Sequence, residues 1–178
     1  MNTTFSQQYL IALGSNLGDR AAYLAQAKAH VAARIGPVVQ MSSTYETQPI
    51  GEADQLFFNA ALVVSTTMTP LEVLAELLAI ETAMGRVRVG RWGNRTIDLD
   101  LLLWRRGNQP DQNVTSKFEA DSLRIPHPAM LDRAFVLIPA AEIVPEWIHP
   151  DTGCTVVQER NRLENTLASP LHHGTQSS

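Results

Sequence analysis

TIDLDLLLW, residues 96–104, reads as the strand that completes the core. Bulky apolar residues dominate it and the two acids fall on alternate positions, which predicts a strand with one wet stretch. Successive side chains of a strand point to opposite faces. Ile97, Leu99, Leu101 and Leu103 are therefore expected on one face, with Asp98, Asp100, Leu102 and Trp104 on the other. Immediately upstream, Thr69-Pro70-Leu71-Glu72 forms a capping box with proline at the first helical position. The helix it starts carries Leu71, Leu74, Leu77, Leu78 and Met84 and stops at Gly85. Residues 57–66 (FFNAALVVST) read as a strand, as do 38–46 (VVQMSSTYE) and 9–14 (YLIALG). Asp19 caps a helix over 20–35 whose Leu24, Ala27, Val31 and Ile35 recur at helical spacing before Gly36-Pro37. The order is βαββαβ. That predicts an α+β protein with a ferredoxin-like core: an antiparallel sheet with helices packed on it, two of them on one face.

Outside this core, residues 105–122 are polar and read as loop, and 125–147 as short helical pieces beside the sheet. A single domain over 1–165 is expected, with a flexible tail over 166–178. The chain has 178 residues, 44% hydrophobic and 18% charged, so it needs no disulfide or metal to fold. One cysteine, Cys154, fits a reducing compartment. No stretch approaches a membrane span and no leader precedes residue 9, which predicts a cytoplasmic protein without a membrane partner.

Net charge is −4 and aromatic and basic residues are not interleaved, which argues against a nucleic-acid partner. Yet Arg86, Arg88, Arg91 and Arg95 fall within ten residues that contain no acid. Arginine's planar fork matches phosphate oxygens, so an acidic protein with one dense arginine loop suggests a small phosphorylated ligand.

Asp98 and Asp100 would lie ~6.6 Å apart along one strand face. Two like charges there repel, and a divalent cation with oxygen ligands answers them; Mg²⁺ uses one or two carboxylates plus substrate phosphates. Glu81 falls in or beside the apolar stripe of its helix, so it needs a partner, which the arginine loop can supply. Asn59 opens an apolar strand face with an amide that both donates and accepts, which suits a flat heterocycle. Phe57 and Phe135 offer stacking faces or fill the core. His127 sits between two prolines, and with Arg133 forms a segment able to reach phosphate. Together these features point to metal-assisted transfer of a phosphorus group. A regulatory module that binds a small effector, and another Mg²⁺-dependent nucleotidyl enzyme, remain alternatives on the same fold.

Five ordered blocks carry a resemblance: LGSNLGDR (13–20), SSTYETQPIG (42–51), DQLFFNAAL (54–62), RWGNRTIDLDLLLW (91–104) and IPHPAMLDRAFVLIPAAEI (125–143). From about residue 9 to 150 the chain resembles the 6-hydroxymethyl-7,8-dihydropterin pyrophosphokinases of folate biosynthesis. The resemblance implies transfer of the β,γ-diphosphate of ATP to the hydroxymethyl group of a reduced pterin, leaving AMP. It implies that Asp98 and Asp100 hold two Mg²⁺ ions and that Arg86, Arg95, His127 and Arg133 bind phosphates. Arg86, Arg95, Asp98 and Asp100 would be catalytic. Arg88 and Trp92 would lie in a loop that closes over ATP. Thr47, Gln48, Ile50 and Asn59 would meet the pterin, flanked by Phe57 and Phe135, with Glu81 at or next to the pterin–metal site. A monomer is expected. Asn94, Gln48 and Leu78 depart from the residues usual in the family: Asn94 from a proline or other small residue, Gln48 from a proline, and Leu78 from a glutamine in some members.

Overall fold

The computed structural model describes residues 6–49, 53–87, 94–107 and 111–168. The expected positions Ile50, Arg88 and Trp92 lie outside them. Strand β1 (Gln7–Ser15) is central. It pairs antiparallel with β4 (Phe57–Thr66) on one side and β5 (Asp98–Arg105) on the other. Two short strands, β2 (Val38–Met41) and β3 (Tyr45–Thr47), pair with the outer edge of β4. Helices α1 (Arg20–Arg34) and α2 (Pro70–Ala83) complete the expected βαββαβ core.

Local signals acted as read. The Asp19 carboxylate accepts from Ala22 N–H at 3.0 Å and starts α1. At α2, Thr69 N–H donates to Glu72 at 2.7 Å, and the Thr69 hydroxyl accepts from Glu72 N–H, closing the capping box. The buried stripe of α2 is shifted, however. Val73, Leu77, Ile80 and Met84 pack against the sheet, while Leu71 and Leu78 are 44% and 40% exposed. The helix is apolar on more than one side, so leucines alone do not mark its inner face.

Alternation sorts the core into two layers. Tyr9, Ile11 and Leu13 of β1 and Ala60, Leu62 and Val64 of β4 face α1 and α2. Leu10, Ala61 and Val63 face the other way, onto α3 (Ala134–Ile143) and α4 (Val156–Ala168). The sheet is thus covered on both faces. The expected alternation in β5 fails at one point. Leu10 pairs with Leu103 but Ile11 pairs with Leu101, so Leu102 is an extra residue in the ladder. A bulge of this kind inverts the parity beyond it. Leu102 and Leu103 both pack on the α3 side, and Trp104 turns to the α1–α2 side, stacked on Tyr9 at 6.3 Å.

The strand expected over 38–46 is broken at 42–44. The Ser42 hydroxyl accepts from Ala61 N–H, and Ser43 N–H and its hydroxyl donate to Glu142 of α3. Short hydroxyl side chains here compete with the ladder for backbone partners. The segment read as loop contains β6 (Phe118–Ala120), which forms a hairpin with β7 (Leu123–Ile125) just beyond it; strands of three residues are too short to show a period. Helix α4 runs to Ala168, past the expected start of the tail at 166; the remainder of that tail lies outside the described residues.

Candidate active site

Antiparallel register puts Asn59, Gly14 and Asp98 in one row across β4, β1 and β5, and Ala61, Ala12 and Asp100 in the next. All six residues share the face opposite α1 and α2. The small residues at the centre, Gly14 and Ala12, make a low floor between the Asn59 amide and the two carboxylates. A cleft of about 300 Å³ opens over this floor. Thr47, Gln48, Phe57, Asn59, Arg86, Arg95, Asp98, Asp100, His127, Arg133 and Phe135 all line it. Eleven of the fifteen expected site residues therefore converge, from five separate parts of the chain.

The cleft is polarised along its length. At one end Asn59 Nδ2 donates to Thr47 Oγ1 at 2.6 Å. That bond leaves the Asn59 carbonyl as an acceptor and the Thr47 hydroxyl as a donor for a ligand edge. Phe57 and Phe135 stand beside them, and the Arg133 guanidinium lies 5.8 Å from the Phe135 ring centre. An ideal Cβ on Gly14 would sit 3.2 Å from Asn59 Oδ1 and 3.7 Å from Phe57. Gly14→Ala is therefore expected to displace the Asn59 carbonyl and weaken heterocycle binding several-fold. Calorimetric titration with a pterin against wild type, beside a thermal melt, separates this from general destabilisation.

At the other end, Asp98 is answered by two arginines: Arg86 Nη1 at 2.7 Å from Oδ1 and Arg95 Nη1 at 2.7 Å from Oδ2. Glu81 is buried behind them, at 3% exposure. Its Oε1 accepts from Leu99 N–H at 2.8 Å and from Arg86 Nη1 at 2.5 Å. Burial pushes its carboxyl up, and the Leu99 amide and Arg86 pull it back only in part. Glu81 is not among the residues that line the cleft with Asn59; it holds Arg86 from below and ties α2 to β5.

Asp100 differs from its neighbour. No hydrogen bond from a described residue reaches its carboxylate. Burial, with the Asp98 charge adding to it, pushes its pKa up to about 7. Arg133 and Arg86 act on Asp100 only from a distance and pull its carboxyl back only in part, so a divalent cation would supply the positive charge that no ion pair of a described residue brings to it. Among the described residues no cluster of three or more His, Cys, Asp or Glu side chains could hold a metal. A cation here would complete its shell with substrate and water oxygens, the habit of Mg²⁺. The residues fit such an ion.

Burial, and then Arg133, hold His127 below the usual histidine range. Its Nδ1 accepts from Ala129 N–H at 3.1 Å, so the neutral ring carries its proton on Nε2 as a donor.

A second cavity, of about 460 Å³, adjoins the first through Arg86, Asp98, Asp100 and His127. Leu74, Leu78 and Glu81 of α2, Leu99 and Leu101 of β5 and the β6–β7 turn with Arg124 are among its other walls. Sequence reading had placed Glu81, Arg86, Asp98, Asp100 and His127 at the site; it missed the hairpin wall, and Leu74 and Leu101, which it assigned to a helix stripe and a strand face.

The family described as 7,8-dihydro-6-hydroxymethylpterin-pyrophosphokinase (HPPK) matches residues 10–145. The 2-amino-4-hydroxy-6-hydroxymethyldihydropteridine pyrophosphokinase of Bacillus subtilis is 44% identical over 156 residues, covering 86% of this chain and 87% of that protein. The protein of the same name from Synechocystis sp. is 36% identical over 176 residues, covering 97% of this chain and 86% of that one. A crystal structure of an HPPK-DHPS in complex with substrates superposes with a TM-score of 0.68 at 16% identity, over 93% of this chain and 45% of that one; at this identity the likeness is one of fold. Matched over most of its length, and with relatives alike over most of theirs, the chain belongs to the 7,8-dihydro-6-hydroxymethylpterin-pyrophosphokinase family.

Proposed function

We propose that this chain transfers diphosphate from ATP to the hydroxymethyl group of 6-hydroxymethyl-7,8-dihydropterin in folate synthesis, leaving AMP, with Asp98 and Asp100 holding two Mg²⁺ ions. One observation carries the site assignment: a donor–acceptor edge, a carboxylate pair and a cationic cluster stand in line over one floor of small residues. The Thr47 hydroxyl and Asn59 carbonyl hydrogen-bond the pterin edge, with Gln48 on the same cleft wall, and Ile50 belongs to the same pterin-binding group. Phe57 and Phe135 bound its ring. The second cavity takes the nucleoside, with Leu74, Leu78 and Leu101 against the base and Arg124 at its rim.

The hydroxymethyl oxygen attacks the β-phosphorus as the bond from that phosphorus to the α-bridging oxygen breaks. When bound, Mg²⁺ neutralises the triphosphate and acidifies the attacking hydroxyl. Arg86 and Arg95 lie where charge builds on the transferred group and stabilise it. Both are already fixed by Asp98, so little reorganisation is needed. Neutral His127 donates from Nε2 and Arg133 adds charge on the α3 side. Arg88 and Trp92 belong to the same nucleotide-binding group. No side chain is assigned as general base.

We also infer a monomer, and a cytoplasmic setting because ATP is the co-substrate. No helix among the described residues is long and apolar enough to cross a membrane. Purified protein given ATP, the pterin alcohol and increasing Mg²⁺ is expected to release AMP and pterin diphosphate in equal amounts, and none with chelator. Binding of both substrates without AMP release would make the chain an effector-binding module; AMP release independent of divalent cation would remove the metal assignment.

A further inference from the structure

The block LGSNLGDR supplies no charged group to the cleft, and no step above uses its asparagine. Asn16 is nevertheless wholly buried and hydrogen-bonded on every side. Its Oδ1 accepts from Arg95 N–H at 2.7 Å, and its own N–H donates to the Arg95 carbonyl at 3.2 Å. Its Nδ2 donates to Asn94 Oδ1 at 2.8 Å and to the Gln55 carbonyl at 3.4 Å. Asn94 Nδ2 in turn donates to Asp54 Oδ1 at 2.8 Å. The direction of this relay is forced from both ends. A backbone N–H at Arg95 can only donate, and an ionised Asp54 can only accept. Both amides between them must therefore point one way.

The relay joins two halves of the site. Arg95 places its guanidinium on Asp98. Residues 54–55 lead directly into β4, which carries Phe57 and Asn59. We propose that Asn16 is a positioning residue for diphosphate transfer: through Arg95 on one side and the Asn94–Asp54 bridge on the other, it holds the phosphate-side arginine and the pterin-side strand in one register. This inference rests on the transferase reading above. In this chain Asn94 is the link, because its side chain both accepts from Asn16 and donates to Asp54.

The polarity of the relay gives the test. In Asn94→Asp the new carboxylate still accepts from Asn16 but confronts Asp54 across a short gap. Adding Asp54→Asn turns that second contact back into a donor–acceptor pair, with net charge equal to wild type. Position 54 is exposed and 94 half-buried, so neither change buries a bare charge. AMP formation is followed with saturating ATP and pterin, alongside thermal melting. Asn94→Asp is expected to lower kcat roughly 10-fold or more, since small misplacements of reacting groups cost about 10²-fold. The double variant is expected to regain most of that loss. Asn16→Ala is expected to lose more than Asn94→Asp, with no partner change able to restore it. Equal kcat in wild type and Asn94→Asp, or a double variant no faster than Asn94→Asp, overturns the inference. If Asn16→Ala does not fold, the Asn94 pair alone decides. Wild-type protein that releases no AMP overturns the transferase reading instead.

Discussion

Asp100→Asn is expected to end diphosphate transfer and yet raise the melting temperature of the ligand-free protein. On the proposed metal role of Asp100, loss of its carboxylate lowers kcat by roughly 10³-fold, about 4 kcal/mol of transition-state stabilisation. The gain in stability has a different origin. Asp100 is pushed up to about 7 by burial and by Asp98, and no described residue donates to it. Removing its charge relieves desolvation and repulsion together. A gain of roughly 1 kcal/mol raises the midpoint of a chain this size by about 2–4 °C. The pH dependence follows from the same shift. The folded pKa lies above the ordinary aspartate value of 3.8, so the folded state binds more protons between about 4 and 7. The stability this contributes is fully present below about pH 4 and is lost as pH rises through about 7. The difference in unfolding free energy between Asp100→Asn and wild type should therefore widen with pH across that window and level off above it. A wild type more stable than the variant at pH 8 without metal would show that Asp100 has a cationic partner after all. Asp98→Asn should gain no such stability, because its two arginines already answer its charge.

Arg86→Ala is expected to damage fold and rate together. Arg86 bridges Glu81 and Asp98, and Glu81 is almost wholly buried. Its removal leaves Glu81 with only the Leu99 amide, and breaking a buried ion pair in this way costs about 3–5 kcal/mol. The rate falls by roughly 10²–10³-fold, the cost typical of losing one preorganised donor to developing charge. Adding Glu81→Gln separates the two effects. Glutamine keeps the carbonyl for Leu99 N–H but carries no charge, so stability returns in part while kcat does not. Urea titration and AMP release on both variants check this. Recovery of rate along with stability would mean that Arg86 acts only as the counter-ion of Glu81.

The order of elements along the chain, both core helices and their caps were legible because each rests on a short-range signal. Thr69 and Glu72 cap α2 wherever α2 lies, and Asp19 does the same for α1. The carboxylate pair was legible for a similar reason: Asp98 and Asp100 share a face in any strand. The β6–β7 hairpin and the inner face of α2 were not, because very short strands and a helix apolar on several sides carry no clear period. The hairpin wall of the second cavity was hidden with them. Asn16 looked like part of a loop motif; its role depends on Arg95, Asn94 and Gln55, which are distant along the chain.

By itself the sequence determined which elements form and which side chains alternate together, since propensity, capping and pleat act over a few residues. Only the tertiary structure decided that the bulge at Leu102 turns Trp104 away from the aspartates, that α3 brings Arg133 and Phe135 over the floor, and that Asp98 is satisfied while Asp100 is not. Those outcomes depend on register, burial and the arrival of charges from elsewhere in the chain, and a carboxylate two residues from its twin carries no local mark of which one the arginines will reach.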